Sequence, residues 1–408
     1  MCIRDSLISI TRKPFFVNRR KTVRPVKDGA GNDRRVIGMF KNGAHYNGIG
    51  PYLKDRFGTR IAKVSIDGGF TCPNRDGSAG LGGCIFCSET GSGDFAGKRI
   101  LGKKTGPKTG GIAVSIPSMR KNALREVPSV TAQIDAQIGI LRKKWPDFRC
   151  VAYFQNFTNT YAPVALLKER FEEALRHPLC TGLAVATRPD CLGPDVEDYL
   201  ADLHDRTFLW VELGLQTSDE ISAQRIRRGY PFSVYKEAVN RLTARGIRVV
   251  THLIAGLPGE DRENFLHSVR RTVSDDIFGV KLQLLHIMKN TELGRLWQVQ
   301  QAASSPDGSV LGTQRGQGKA FPGAGLPENT LCEPASFPRI RPLDKEEYIS
   351  WIADALEIIP PQITIHRLTG DAPKDTLLAP LWSRDKKAVL NGINMELKKR
   401  GSCQGSRI

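Results

Sequence analysis

Between residues 150 and 285, short apolar runs alternate with amphipathic stretches, and this rhythm limits the possible folds more than any other feature. Strands are expected at 61–66, 150–155, 182–187, 208–213, 249–254 and 279–285. Helices are expected at 163–176, 194–203, 219–227, 233–245 and 262–273, with Pro163 and Pro194 suited to helix starts. Two parallel strands cannot be joined by a tight turn and need a crossover, usually a helix. The repeating order therefore predicts an α/β fold with a parallel sheet, either curved into a partial barrel or laid out open. In both arrangements ligands belong at the carboxyl ends of the strands.

The flanks differ in character. Residues 1–45 form a basic extension with little apolar periodicity, expected to be poorly ordered. A β/α core follows over 46–298. It includes a Lys- and Gly-rich loop at 98–121 and a helix capped by Ser129 and running to about residue 144. Residues 299–338 are rich in Gly, Ser, Gln, Ala and Pro and read as a flexible insertion. A C-terminal α/β appendage is expected over 339–408, with helices at 345–358 and 386–400 and a strand at 362–368. The formal net charge is +18, which suggests a polyanionic partner, because Lys and Arg gain affinity by releasing counterions from phosphates. No apolar run is long enough for a membrane span, and no signal-peptide pattern opens the chain, so no membrane association and a cytoplasmic location are expected.

The chain has 9 cysteines, an odd number in a long chain, which argues against a disulfide framework. Only Cys72, Cys84 and Cys87 form a tight group, directly after the 61–66 strand. Gly77, Gly80, Gly82 and Gly83 let the backbone wrap closely around whatever the thiolates hold. A structural zinc site wants four ligands, and no fourth Cys or His lies nearby in sequence. Three ligands suit a [4Fe–4S] cluster with one open iron, or a catalytic zinc.

The surrounding residues carry a resemblance. The loop reads Asp67-Gly-Gly-Phe-Thr-Cys72-Pro-Asn-Arg-Asp-Gly77, then Gly82-Gly-Cys84-Ile-Phe-Cys87. In register follow Tyr153-Phe-Gln-Asn-Phe-Thr158-Asn-Thr-Tyr-Ala-Pro163, Ala186-Thr-Arg-Pro-Asp-Cys191 and Trp210-Val-Glu-Leu-Gly-Leu-Gln216. Then come His252-Leu-Ile-Ala-Gly-Leu-Pro-Gly-Glu260, Lys281-Leu-Gln-Leu-Leu285 and His366-Arg-Leu-Thr-Gly-Asp-Ala-Pro373. Together they resemble the YhcC-type radical SAM proteins, in the branch related to the catalytic subunit of Elongator. The resemblance covers residues 46–405 apart from the insertion.

The resemblance implies a partial (β/α)6 TIM-like barrel of the radical SAM type. It implies that Cys72, Cys84 and Cys87 ligate three irons of a [4Fe–4S] cluster while S-adenosyl-L-methionine chelates the fourth. Phe86 would pack near the adenine. Thr158, Asn159 and Thr160 would receive the methionine amino group, although the same residues would also cap the helix before Pro163. Glu212, with Gln216 as a weaker neighbour, would contact the ribose or methionine; a structural salt bridge is the other reading of this carboxylate. Gly256 and Gly259 would let backbone approach the adenine, unless they serve a plain turn. Arg188 could hold a carboxylate or phosphate bidentately. Lys281, His366, Arg367 and Asp371 are substrate-side candidates, and His252 reads as a core histidine. Position 283 holds Gln where the family pattern has a histidine.

The expected reaction is reductive cleavage of S-adenosylmethionine to a 5′-deoxyadenosyl radical, fed by a low-potential donor of flavodoxin or ferredoxin type. The expected substrate is tRNA, at a wobble uridine, with 12–35 and 98–121 as basic contacts. The alternatives are a small-molecule or peptide substrate, or a non-catalytic zinc-stabilised RNA-binding protein.

Overall fold

The computed structural model describes residues 43–88, 91, 125–304 and 336–408, together with 26–27, 33–34 and 40. Nearly all of the basic extension, the 98–121 loop and most of the insertion lie outside the described residues.

Six strands follow the expected rhythm: β1 (Ile61–Ile66), β2 (Arg149–Phe154), β3 (Cys180–Thr187), β4 (Phe208–Gln216), β5 (Arg248–Ala255) and β6 (Gly279–Leu284). Each pairs in parallel with its sequence neighbour. The sheet curls into a half-barrel. After the short strand β7 (Ile287–Met288), β8 (Thr364–Arg367) returns to pair in parallel with β6 and becomes the seventh strand of the sheet. The C-terminal region is therefore part of the barrel rather than an appendage beside a six-stranded one. β9 (Leu377–Ala379) pairs antiparallel with β7.

The inner strands are buried on both faces, as a parallel sheet covered by helices requires, whereas the edge strand β1 alternates buried with half-buried positions. On β4, Leu209, Val211, Leu213 and Leu215 join the outer core, while Phe208 and Trp210 alternate onto the inner face. The outer core packs against α2 (Val130–Leu141), α3 (Val164–Arg176), α4 (Pro194–Arg206), α6 (Phe232–Ala244) and α7 (Arg262–Val273). The short α5 (Glu220–Arg225) follows β4.

The amino-terminal end of the barrel is plugged by α1 (Ile49–Phe57), which buries Ile49 and Leu53 beside Tyr153, Phe208 and Trp210. No element was expected here; Pro51 occupies the first helical turn, where its missing N–H costs nothing.

The start of the insertion is also corrected. α8 (Glu292–Ala303) carries residues 299–303 in regular helix. Gln300 then clamps the far end of the segment: its amide donates to the Phe337 and Pro338 carbonyls and accepts the Ile340 N–H. α9 (Lys345–Ile358) has the expected bounds, and α10 (Lys386–Lys399) ends one residue early.

Candidate active site

The cysteine loop is tied down before it reaches its first thiol. Asp67 accepts hydrogen bonds from the Gly69 N–H at 3.0 Å, Arg125 at 2.6 Å and Asn156 at 3.0 Å. The Gln133 amide holds the backbone of Asp67 on both sides. Beyond Cys72 the chain folds back on itself through the Arg75 N–H to Cys72 carbonyl and Gly83 N–H to Asn74 carbonyl bonds. Two glycines are required here. A Cβ on Gly80 would lie 2.2 Å from the Asn74 side-chain oxygen, and Gly83 has φ +85° with Arg75 against it.

All three thiols of this loop line one cavity of about 220 Å3 at the carboxyl ends of the strands. Asn74 donates to the Cys84 sulfur at 3.6 Å and to the Arg227 carbonyl at 2.6 Å. The contact with Cys87, helped by Arg188 and Arg75, holds the Cys84 thiol down to about 7, while the same contact and burial hold Cys87 up against the charge of Arg75. Burial pushes the Cys72 thiol up, against a hydrogen bond from Thr158 and the charge of Arg188. Among the described residues no three Cys, His, Asp or Glu side chains are drawn together as a preformed site for one metal ion. The fit to a metal group therefore rests on the donor set. Three thiols in one wall, a side-chain N–H on one sulfur and nearby guanidinium charge suit a group that takes three thiolates and leaves a position open.

The inner face of β4 shows how the cavity is floored. Phe208 and Trp210 belong to the plug, and Glu212, Gly214 and Gln216 line the cavity. Glu212 is fully buried. It accepts hydrogen bonds from Trp210 at 2.9 Å, from His252 at 2.9 Å and from Lys281, which also donates to the Tyr153 hydroxyl at 2.8 Å. Burial raises the Glu212 carboxyl, but Lys281 and His252 overrule it and hold it well below the usual range. Burial lowers His252 to about 4. Glu212 therefore combines the two readings: it is ion-paired with Lys281 and, with His252, also lines the thiol cavity. His366 likewise belongs to the interior, with Thr364 at 3.0 Å and Trp210 and Phe278 edge-on.

Among the other expected residues, Phe86, Thr158, Arg188 and Gln216 line the cavity. Asn159 and Thr160 do not. Asn159 donates to the Phe154 and Ala186 carbonyls, and Thr160 bonds Thr187 and the Cys191 carbonyl, so both brace the strand ends. Gly256 and Gly259 also lie outside the lining. A Cβ on Gly256 would meet Leu343 at 3.0 Å and one on Gly259 would meet Arg225 at 2.4 Å, so these glycines serve close packing of a turn. Arg188 keeps its place in the wall, but its fork is already engaged bidentately by Asp190 at 2.6 and 2.9 Å.

Sequence reasoning missed Arg75, Arg228 and Tyr230 in the lining. Arg228 is almost wholly buried and donates to the Leu215, Thr217 and Tyr230 carbonyls. The Arg227-Arg228-Gly229 run reads as a solvated basic stretch; the one signal was the adjacent glycine, which has φ +84° here.

Comparison with known proteins places these features in context. The Radical SAM superfamily model matches residues 72–272, and the Radical_SAM C-terminal domain model matches residues 338–399. YtqA of Bacillus subtilis is 39% identical over 88% of this chain and 92% of its own length. YhcC of Escherichia coli K12 is 29% identical over 89% of this chain and 95% of its own. The tRNA uridine(34) acetyltransferase of Dehalococcoides mccartyi is 25% identical over 54% of this chain and 39% of that protein. Among solved structures, the Methanocaldococcus infernus Elp3 with an N-terminal deletion superposes with a TM-score of 0.50, at 17% identity, over 68% of this chain and 60% of that one.

Proposed function

The chain belongs to the radical SAM superfamily, and from that premise we propose that it binds a [4Fe–4S] cluster through Cys72, Cys84 and Cys87, cleaves S-adenosylmethionine reductively, and acts on a uridine of tRNA. The convergence of the three thiols on one cavity at the strand ends carries this reading. When bound, the cluster supplies one electron to S-adenosylmethionine, giving methionine and a 5′-deoxyadenosyl radical.

The chain's own residues prepare the cavity for this. Asn74 orients the Cys84 sulfur, and the Arg75 and Arg188 guanidiniums favour thiolate over thiol. Phe86 and Phe157 give the wall apolar faces that exclude water. Thr158 and Gln216 offer polar atoms to the amino-acid and ribose parts of the ligand. The tRNA assignment is supported by the partial match to a tRNA uridine(34) acetyltransferase and by the net charge of +18. A low-potential flavodoxin- or ferredoxin-type donor and a cytoplasmic setting complete the proposal. Among the described residues no helix is long and apolar enough to cross a membrane.

The test is anaerobic reconstitution followed by dithionite-driven cleavage of S-adenosylmethionine, with wild type beside Cys84→Ala. A brown protein with about four irons that releases 5′-deoxyadenosine, and a variant that releases none, is expected. Incubation with tRNA and mass analysis of its nucleosides then reads the substrate. A colourless zinc protein that yields no 5′-deoxyadenosine overturns the reading in favour of zinc-stabilised RNA binding.

A further inference from the structure

A sheet that curls without closing leaves its two edge strands apart, and here a second cavity lies between them. It measures about 780 Å3 and is reached by Ser65 of β1 on one side and Arg367 of β8 on the other. Its walls differ in chemistry. Ser65, Gln137, Gln155 and Gln283 make the neutral wall, where the Gln137 amide is bonded to the Ser65 backbone and the Ser65 hydroxyl donates to Gln155, whereas Arg367, Lys374, Arg384, Lys386 and Lys387 are cationic.

The acidic groups in the lining are engaged by their own neighbours. Asp371 is held by Lys386 and by Arg367 at 3.3 Å. Asp385 accepts the Ala388 N–H at 3.0 Å as the cap of α10, whose positive dipole end therefore also faces this region. Lys374 and Lys387 are exposed and make no ion pair among the described residues. The cavity thus offers uncompensated positive charge on one side and neutral hydrogen-bonding groups on the other.

The two cavities adjoin and share part of their walls. Gln283 and Asp371 line both. His286 faces the thiol cavity and bonds Ser383, which lines the second, at 3.1 Å. Gln283 makes no side-chain hydrogen bond among the described residues, so at the junction an amide is left to read whatever passes it.

A ligand that fits both walls carries an anion at one end and a flat, hydrogen-bonding group at the other. We propose that this cavity receives the target nucleotide of the RNA substrate, its base directed past Gln283 toward the thiols and its phosphodiester on the Arg367–Lys374–Arg384–Lys386–Lys387 wall. This inference rests on the radical reading above and adds the path by which the substrate reaches it. Reaching a buried reactive centre requires the nucleotide to leave its stack, and fixed cations on the flanking phosphates hold the extruded form. Phosphate competes with Asp371 for Lys386 and Arg367, so binding frees a carboxylate at the mouth of the thiol cavity.

The experiment uses the reconstituted holoenzyme and a fluorescein-labelled anticodon stem–loop RNA carrying 4-thiouridine at the wobble position. Ultraviolet cross-linking is expected to place adducts on peptides containing Ser65, Gln155, Gln283 or residues 371–387. Lys374→Glu with Lys387→Glu, both on exposed positions and checked for folding by thermal melting, is expected to weaken binding by about tenfold or more and to flatten its salt dependence by about one logarithmic unit per lysine. Adducts confined to 1–45 or 98–121, or affinity and salt slope unchanged in the double variant, overturn the inference. So does wild-type protein that does not bind this RNA, which points to a small-molecule or peptide substrate instead. Release of 5′-deoxyadenosine by wild type without RNA reports on the radical reading alone, so its failure is separable from failure at the cavity.

Discussion

Two polar layers sit one above the other on the inner face of the half-barrel, and they are built on opposite principles. The lower layer is Glu212 with Lys281, His252, Tyr153 and Trp210, where each named donor meets an acceptor within the layer. The upper layer is the thiol cavity, where Cys72, Cys84 and Cys87 share a wall with Thr158 and Gln216 and open space remains between them. A buried carboxylate is tolerable only when paired, so the lower layer is saturated as a condition of folding. Thiols bury at far lower cost, so the upper layer can leave its sulfurs available. The two layers meet at Glu212 and His252, which are paired within the lower layer and also line the thiol cavity.

Breaking the lower layer tests this most strongly. Lys281→Met leaves Glu212 buried without its cation and is expected to lower unfolding free energy by about 3–5 kcal/mol. Glu212→Gln added to Lys281→Met removes the orphaned charge and is expected to recover more than half of that loss, as read by urea denaturation. Cys84→Ala in the metal-free protein is expected to change stability by less than about 1 kcal/mol, although the same change is expected to abolish iron binding at the upper layer.

The contrast sharpens between two adjacent residues. Asn159→Ala removes the side-chain donor to the Phe154 and Ala186 carbonyls and is expected to cost about 1–3 kcal/mol while leaving S-adenosylmethionine binding by the reconstituted protein within about twofold of wild type. Thr158→Ala is expected to do the reverse, weakening that binding with a smaller loss of stability. If Asn159→Ala weakens binding as much as Thr158→Ala, the assignment of Asn159 to the frame is wrong.

The smallest effect is a pH slope. His252 is held at about 4 in the folded protein, below an unfolded value of about 6.5. The unfolded chain takes up a proton that the folded chain excludes, so this contribution is intact above pH 6.5 and is lost as pH falls from there toward 4. Thermal melts across that window are expected to fall less steeply for His252→Gln than for wild type. Equal slopes would mean that His252 is charged in the fold and that the lower layer is paired differently.

Much of this architecture was legible because it is local. The six strand positions came from periodicity, and the bounds of α7 and α9 coincide with those expected from caps and apolar spacing. The thiol group was legible for the same reason: its spacing and its glycines lie within one loop. Asn159 and Gly256 misled because each has two roles consistent with its neighbours in sequence, and the choice between them lies with Ala186 and Leu343, which come from distant segments.

By itself, then, the order of residues determined the β/α rhythm and the cysteine loop, since backbone propensity and chain connectivity act over a few residues. Only the tertiary structure decided that β8 joins the barrel, that α1 plugs its floor, that Glu212 is paired with Lys281, and that a cationic cavity opens between the edge strands. Those outcomes depend on which groups meet after long loops have closed, and the desolvation of a buried polar atom is set by the partner it finds there.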